Sequence, residues 1–241
     1  RKNPAHFEQQ GIAVLRGVRA KSVDVQAKRV TLSDGQSLRF DRLLLATGSR
    51  PVSPPVPGID NPRVLTCWTL EDARAIQSLA KPGARVLQMG AGFIGCIIME
   101  ALASRGVELT VVEMGDRMVP RMMGPVAGGM IRQWCESKGV KVHTGARVES
   151  IAPTSAAGPL KVRLSTGNTL EVDLVISATG VKPNIGFLAD SGIRCEQGVL
   201  TDACLQTSVK GVYAAGDCAE AFDPVTGKAV VSAIQPNAAE Q

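Results

Sequence analysis

Residues 32–48 read LSDGQSLRFDRLLLATG, and residues 164–180 read LSTGNTLEVDLVISATG. At a constant offset of 132 residues, eight of these seventeen positions are identical: Leu32/Leu164, Ser33/Ser165, Gly35/Gly167, Leu38/Leu170, Asp41/Asp173, Ala46/Ala178, Thr47/Thr179 and Gly48/Gly180. Further upstream, EQQGIAVLRG (8–17) echoes ESKGVKVHTG (136–145) with a small gap in the offset. Similarity that keeps its order over such a distance marks two copies of one α/β module.

Each copy reads alike. A helix ends at Gly11 or Gly139 and a short strand follows. Hairpin strands then turn at Asp34-Gly35 or Thr166-Gly167, and an apolar strand (LLLATG, LVISATG) ends in small residues. The second copy also shows its beginning: strand RVLQM (85–89), loop GAGFIG (90–95), a helix to about Arg105 and strand ELTVVE (108–113). Subtracting the offset of 132 from Gly90 places the first copy's glycine loop about forty residues before Arg1. The chain opens Arg1-Lys2-Asn3-Pro4, with neither Met nor signal peptide, and is expected to be a piece truncated at both ends.

The stretch RPVSPPVPGIDNP (50–62) is too rich in Pro and Gly for helix or central strand and reads as a linker. Thr69 then caps a helix with Glu71 and Asp72 in its first turn, ending near Pro82-Gly83. A second boundary falls near Pro183-Asn184. The expected domains are therefore 1–63, 64–184 and 185–241, the middle one nested inside a domain formed by the other two.

The 241 residues carry 27 Lys+Arg against 22 Asp+Glu, a net charge of +5, and 44% are apolar, which excludes a disordered chain. Aromatics at 3% argue against stacking platforms for single-stranded nucleic acid. No run of five basic residues occurs, so the positive charge gives only weak support for nucleic acid or membrane, and no nucleic-acid partner is expected. The longest apolar stretch, GAGFIGCIIMEALA, is too short for a membrane span. Six cysteines at 67, 96, 135, 195, 204 and 218 form no C-x-x-C, so no zinc knuckle or local dithiol is written here. They read as reduced thiols of a cytoplasmic protein. No metal site is expected.

A lone G-x-G-x-x-G is weak, but here it follows an apolar strand and opens a helix, the context that the motif requires. Gly90 allows the tight turn, Gly92 lets backbone approach a pyrophosphate, and Gly95 lets helix pack against strand. The exposed N–H groups and positive end of that helix would receive the diphosphate, with Gly90, Ala91, Gly92, Phe93, Ile94 and Gly95 as cofactor-binding residues. Glu113, eighteen residues after Gly95, ends the next strand. A carboxylate there accepts both ribose hydroxyls and repels a 2′-phosphate, so NADH is expected over NADPH. Arg117 is the one nearby cation and reads as a solvated loop charge.

The chain resembles the flavin-dependent pyridine nucleotide–disulfide oxidoreductase superfamily, and within it the NADH-dependent rubredoxin, ferredoxin and nitrite reductase flavoproteins. The resemblance rests on LLLATGSRP (43–51), PPVPGID (54–60), GAGFIG, TVVEMGDRMVPRM (110–122), ISATGVKPN (176–184) and VYAAGDCAE (212–220). It implies a Rossmann-type NAD-binding domain nested in an incomplete Rossmann-type FAD-binding domain. Thr47 and Gly48 would lie at the crossover strand of the FAD domain, and Asp217 after Gly216 would bond the ribityl or phosphate region. Gly180 would sit beside the bound dinucleotide, and the helix at Gln235-Pro236-Asn237 would point at the flavin pyrimidine. Many relatives carry a Glu two positions after the third glycine; here it is Ile97, which leaves the orientation of the nicotinamide open.

The resemblance implies hydride transfer from NADH to FAD, and then electrons onward to an acceptor protein or metal centre. No catalytic side-chain constellation is expected, because the cofactors carry the chemistry. His6 and His143 read as surface or strand residues, and Cys96 as a small packed one. Two alternatives stand beside this reading. One is a thiol, disulfide, peroxide or oxygen reductase with its redox cysteine upstream of Arg1; the other is a dinucleotide sensor without turnover. With its first glycine loop missing, the chain by itself is expected to hold FAD poorly.

Overall fold

The computed structural model describes residues 4–156, 158–224 and 226–241. By their contacts they fall into two compact units, one of Arg50–Val181 and one of the residues up to Ser49 together with Lys182–Gln241.

The central unit is built on a five-stranded parallel sheet in the order Val64–Thr66, Leu174–Ser177, Arg85–Met89, Glu108–Val112, Lys141–His143. Its strands are apolar on both faces, as a sheet covered on both sides must be. Val86, Val111, Leu174 and Ile176 face one core with Ile98 and Leu102 of helix Phe93–Ala103. Leu87, Met89, Val112 and Val175 face the other, against the antiparallel sheet Val148–Pro153, Leu160–Leu164, Thr169–Val172. Helices on one face and a small sheet on the other fix the strand ends in place.

Residues 50–63, expected with the flanking domain, pack instead with the central unit. Val56 and Ile59 lie against its second core, and Ile151 N–H donates to the Pro57 carbonyl at 2.8 Å. The Pro and Gly content keeps helix and central strand out of this stretch, but it does not rule out burial.

The flanking unit has a hairpin sheet, Ala20–Asp24, Arg29–Leu32, Ser37–Arg39, and a parallel pair, Leu43–Leu45 with Val212–Ala214. A third sheet joins Val199–Leu200, Ala219–Asp223 and Lys228–Val231. Val23, Leu45, Leu188, Val212 and Ala214 share its core. Leu43–Leu45 is the repeat's counterpart of Leu174–Ser177. Among the described residues it has one strand neighbour where the latter has two.

Helix Leu70–Leu79 starts as its sequence requires. Thr69 accepts from Asp72 N–H at 3.1 Å, and Asp72 Oδ2 accepts from the N–H groups of Thr69 and Trp68 at 3.0 and 2.9 Å. Burial alone would raise the Asp72 pKa, but these donors outweigh it and hold the carboxyl below its ordinary value. Asp72→Ala is expected to lower stability at neutral pH by about 1–2 kcal/mol. A depressed folded-state pKa gives stability above the ordinary carboxylate value, lost as pH falls through the folded one. Urea titrations of the two proteins should therefore converge in strongly acidic solution; a gap independent of pH would rule out the charged cap.

Candidate functional site

In the central unit the loop 90–95 leaves the carboxyl end of strand Arg85–Met89 and enters helix Phe93–Ala103. Gly90 has φ +94°, and a Cβ there would lie 2.4 Å from the Ala178 carbonyl oxygen on the neighbouring strand's end. Only glycine fits. Its N–H donates to Val112 O at 2.8 Å, so three parallel strands meet at this turn. Gly92 is the N-cap and supplies no side chain, so the first-turn N–H groups of the helix have no intrahelical partner. That end, with Phe93 and Ile94, is suited to an anion. Gly180 lies three residues beyond the end of the adjacent strand Leu174–Ser177, its carbonyl accepting from Val52 N–H at 2.9 Å. The crevice thus lies outside the carboxyl ends of a parallel sheet, where such sheets bind ligands.

Glu113 is nearly buried, and each of its oxygens already holds a backbone donor. Oε2 accepts from Ala91 N–H and Oε1 from Gly115 N–H, both at 2.7 Å. The sequence suggests a carboxylate aimed at a ligand; the structure adds that it braces the glycine loop. A carboxylate has about four acceptor positions, so capacity for hydroxyl donors remains. Arg117, read as a solvated charge, is instead engaged with Asp116 at 2.8 Å and with the Met123 carbonyl at 2.8 Å. It is not a free cation for a 2′-phosphate.

A second brace is a residue that the sequence reading passed over. Gln88, fully buried in strand Arg85–Met89, donates from Nε2 to Gly90 O at 2.8 Å and Gly95 O at 3.1 Å, tying the two ends of the loop. Its Oε1 has no partner. The available signal was one amide in an otherwise apolar strand, two positions before the loop.

In the flanking unit, Thr47, Gly48, Gly216 and Asp217 come together at the carboxyl ends of the paired strands Leu43–Leu45 and Val212–Ala214. Ser49 donates its hydroxyl to Asp217 Oδ2 at 2.6 Å, and Thr47 donates to Asn184 O at 2.9 Å. Asn184 returns a bond from Nδ2 to Thr47 O at 3.1 Å, and its N–H meets Gly48 O at 2.9 Å. Ser49 and Asn184 were not anticipated; they are 168 and 137 residues from their partners.

Ile97 is exposed one turn into its helix. Burial pushes the Cys96 thiol up to about 11, and burial also raises Cys67, Cys135 and Cys195. All six cysteines are free. Among the described residues no group of three or more His, Cys, Asp or Glu could hold a metal ion. Nor is any helix among them long and apolar enough to cross a membrane.

A glycine loop braced at the carboxyl edge of a parallel sheet, in a chain that repeats the module, defines a Rossmann-type dinucleotide-binding protein. The family model described as pyridine nucleotide-disulphide oxidoreductase matches residues 2–238, and the chain belongs to that family of oxidoreductases. It is 36% identical over 235 residues to the NADH-dependent phenylglyoxylate dehydrogenase subunit epsilon of Aromatoleum evansii, covering 98% of this chain and 55% of that one. It is 30% identical to the benzene 1,2-dioxygenase system ferredoxin–NAD(+) reductase subunit of Pseudomonas putida, over 88% of this chain and 52% of that one. The solved covalent putidaredoxin reductase–putidaredoxin complex matches with TM-score 0.93 and 28% identity, over all of this chain and 58% of the other. The chain spans about half the length of these relatives.

Proposed function

We propose that the central unit binds NADH across the loop 90–95. In this reading the first-turn N–H groups of the Phe93–Ala103 helix hold the diphosphate, and Gly180 lies beside the dinucleotide. Glu113 accepts the adenosine ribose hydroxyls with the acceptor positions that the loop leaves open. The observation that carries the reading is the nearly buried carboxylate next to a glycine loop, with Arg117 already engaged by Asp116. A 2′-phosphate at that place would meet negative charge, so NADH is preferred to NADPH.

We further propose that the whole protein is a flavoprotein in which NADH reduces FAD and electrons pass on to an acceptor protein or metal centre, in a reduced, cytoplasmic setting. Bound FAD would supply the exchange of a two-electron hydride for single electrons. Gly216 allows close approach of a ligand to the strand end, and Asp217, held by Ser49, presents an acceptor for its hydroxyls. Thr47 and Gly48, fixed by Asn184, form the neighbouring wall. Burial raises the pKa of Cys67, Cys96, Cys135 and Cys195, which disfavours thiolate chemistry at those four cysteines. Stopped-flow mixing of the full-length protein with NADH tests this. Flavin bleaching, followed by reoxidation with a one-electron acceptor, is expected; no bleaching would leave a dinucleotide sensor.

The Gln88 brace gives a separate expectation. Gln88→Leu frees the two loop carbonyls that Nε2 holds but also removes the unpartnered Oε1, so stability should change little. NADH affinity should fall by about tenfold, the equivalent of roughly 1.4 kcal/mol of lost preorganisation. Unchanged affinity in calorimetry would show that the loop keeps its shape without the amide.

A further inference from the structure

The repeat builds the same hairpin sheet twice, and the two sheets differ in charge. In the central unit Lys161 stands directly opposite Glu171, and Glu149 takes Arg163 at 3.4 Å and Arg147 at 3.8 Å. At the offset of 132, the positions of Lys161 and Glu171 are Arg29 and Arg39, which also stand directly opposite each other. Like charges opposite one another destabilise a sheet. Asp24, on the other side of Arg29, turns its Oδ1 to the N–H groups of Gln26 and Ala27 at 3.0 and 2.8 Å. Phe40 N–H donates to Lys28 O at 3.1 Å, which brings Lys28 to the same end of the sheet.

Arg19, Lys21, Lys28, Arg29, Arg39 and Arg42 are all exposed, and none forms an ion pair among the described residues. Residues 19–42 hold these six cations against three acids, a net +3, whereas the equivalent 151–174 hold two of each, a net of zero. One copy of the sheet is neutral and paired within itself. The other keeps a repulsive arrangement that a single acidic residue would relieve.

We propose that the hairpin sheet 20–39 is a docking surface for an acidic protein. The outward row Ser22, Asp24, Arg29, Thr31, Ser37, Arg39 has no large apolar side chain to anchor in a lipid surface. The one aromatic residue of this segment, Phe40, packs on the core and offers no stacking face to nucleic acid bases. Paired guanidinium groups suit carboxylates, which they bind through two parallel N–H bonds. The interspersed Asp24, Asp34 and Asp41 would repel an unbroken polyphosphate, while a protein surface can match mixed charge.

The test uses the full-length protein with poly-L-glutamate as probe, at low ionic strength, beside a DNA duplex and phosphatidylserine vesicles. Wild-type protein should bind polyglutamate more tightly than the other two. Arg39→Glu restores the opposite-sign arrangement of the central sheet, so it should weaken that binding by about tenfold without lowering the thermal midpoint. Lys141→Glu, with the same change of net charge at the exposed first residue of strand Lys141–His143, should have a much smaller effect. Equal losses from both variants would reduce the effect to net charge and overturn the proposal. No binding by the wild type, or tighter binding to the duplex or vesicles, would overturn it too.

Discussion

Gly90→Ala is expected to weaken NADH binding by about a hundredfold or more. The added Cβ would sit 2.4 Å from a backbone oxygen, that of Ala178, at a φ of +94°. Neither atom is the end of a flexible chain, so relief requires the ends of strands Arg85–Met89 and Leu174–Ser177 to part. A strained backbone of this kind carries about 1–3 kcal/mol, and the displaced strand end adds to it. About 2.8 kcal/mol corresponds to a hundredfold in affinity. Calorimetry on the variant, with urea unfolding alongside, separates lost binding from lost fold. Affinity within a few-fold of wild type would mean that the crevice does not use this turn.

Glu113→Ala should damage both binding and stability, for a reason that the sequence did not show. It leaves the N–H groups of Ala91 and Gly115 without the carboxylate that each meets at 2.7 Å, and Ala91 is fully buried. Hydrogen bonds to a charged group contribute about 1.5–3 kcal/mol each, so a loss of roughly 3 kcal/mol or more is expected. The preference for NADH over NADPH should narrow as well, because the hydroxyl acceptor and the repulsion vanish together. Glu113→Gln keeps one acceptor for the loop while removing the charge. It should retain more stability than the alanine variant but lose comparable preference. If both variants weaken the two nucleotides equally, Glu113 is a brace and nothing more.

The contrast between these residues shows what the sequence could and could not tell. Strand RVLQM was legible to the residue, since an apolar run bounded by Arg and a glycine loop has one reading, and 85–89 is where it lies. The Thr69 cap was legible because its partner is three residues away. The repeat located equivalent strands in both units. Gln88 was not legible, because the carbonyls it holds come near only once the loop has closed over it. Ser49 with Asp217 and Asn184 with Thr47 are long-range pairs that no local pattern encodes. Residues 50–63 were misplaced because proline content speaks to backbone conformation, whereas Val56 and Ile59 decide where the segment packs. The charge contrast between the hairpin sheets needed both the offset, which is in the sequence, and the strand register, which is not.

We propose the unit 50–181 as an NADH site whose selectivity lies at Glu113. The most direct measurement is calorimetric titration of the protein with NADH and with NADPH at equal ionic strength. One NADH per chain, bound about tenfold or more tighter than NADPH, is the predicted result; equal affinities, tighter NADPH or no binding of either would contradict it.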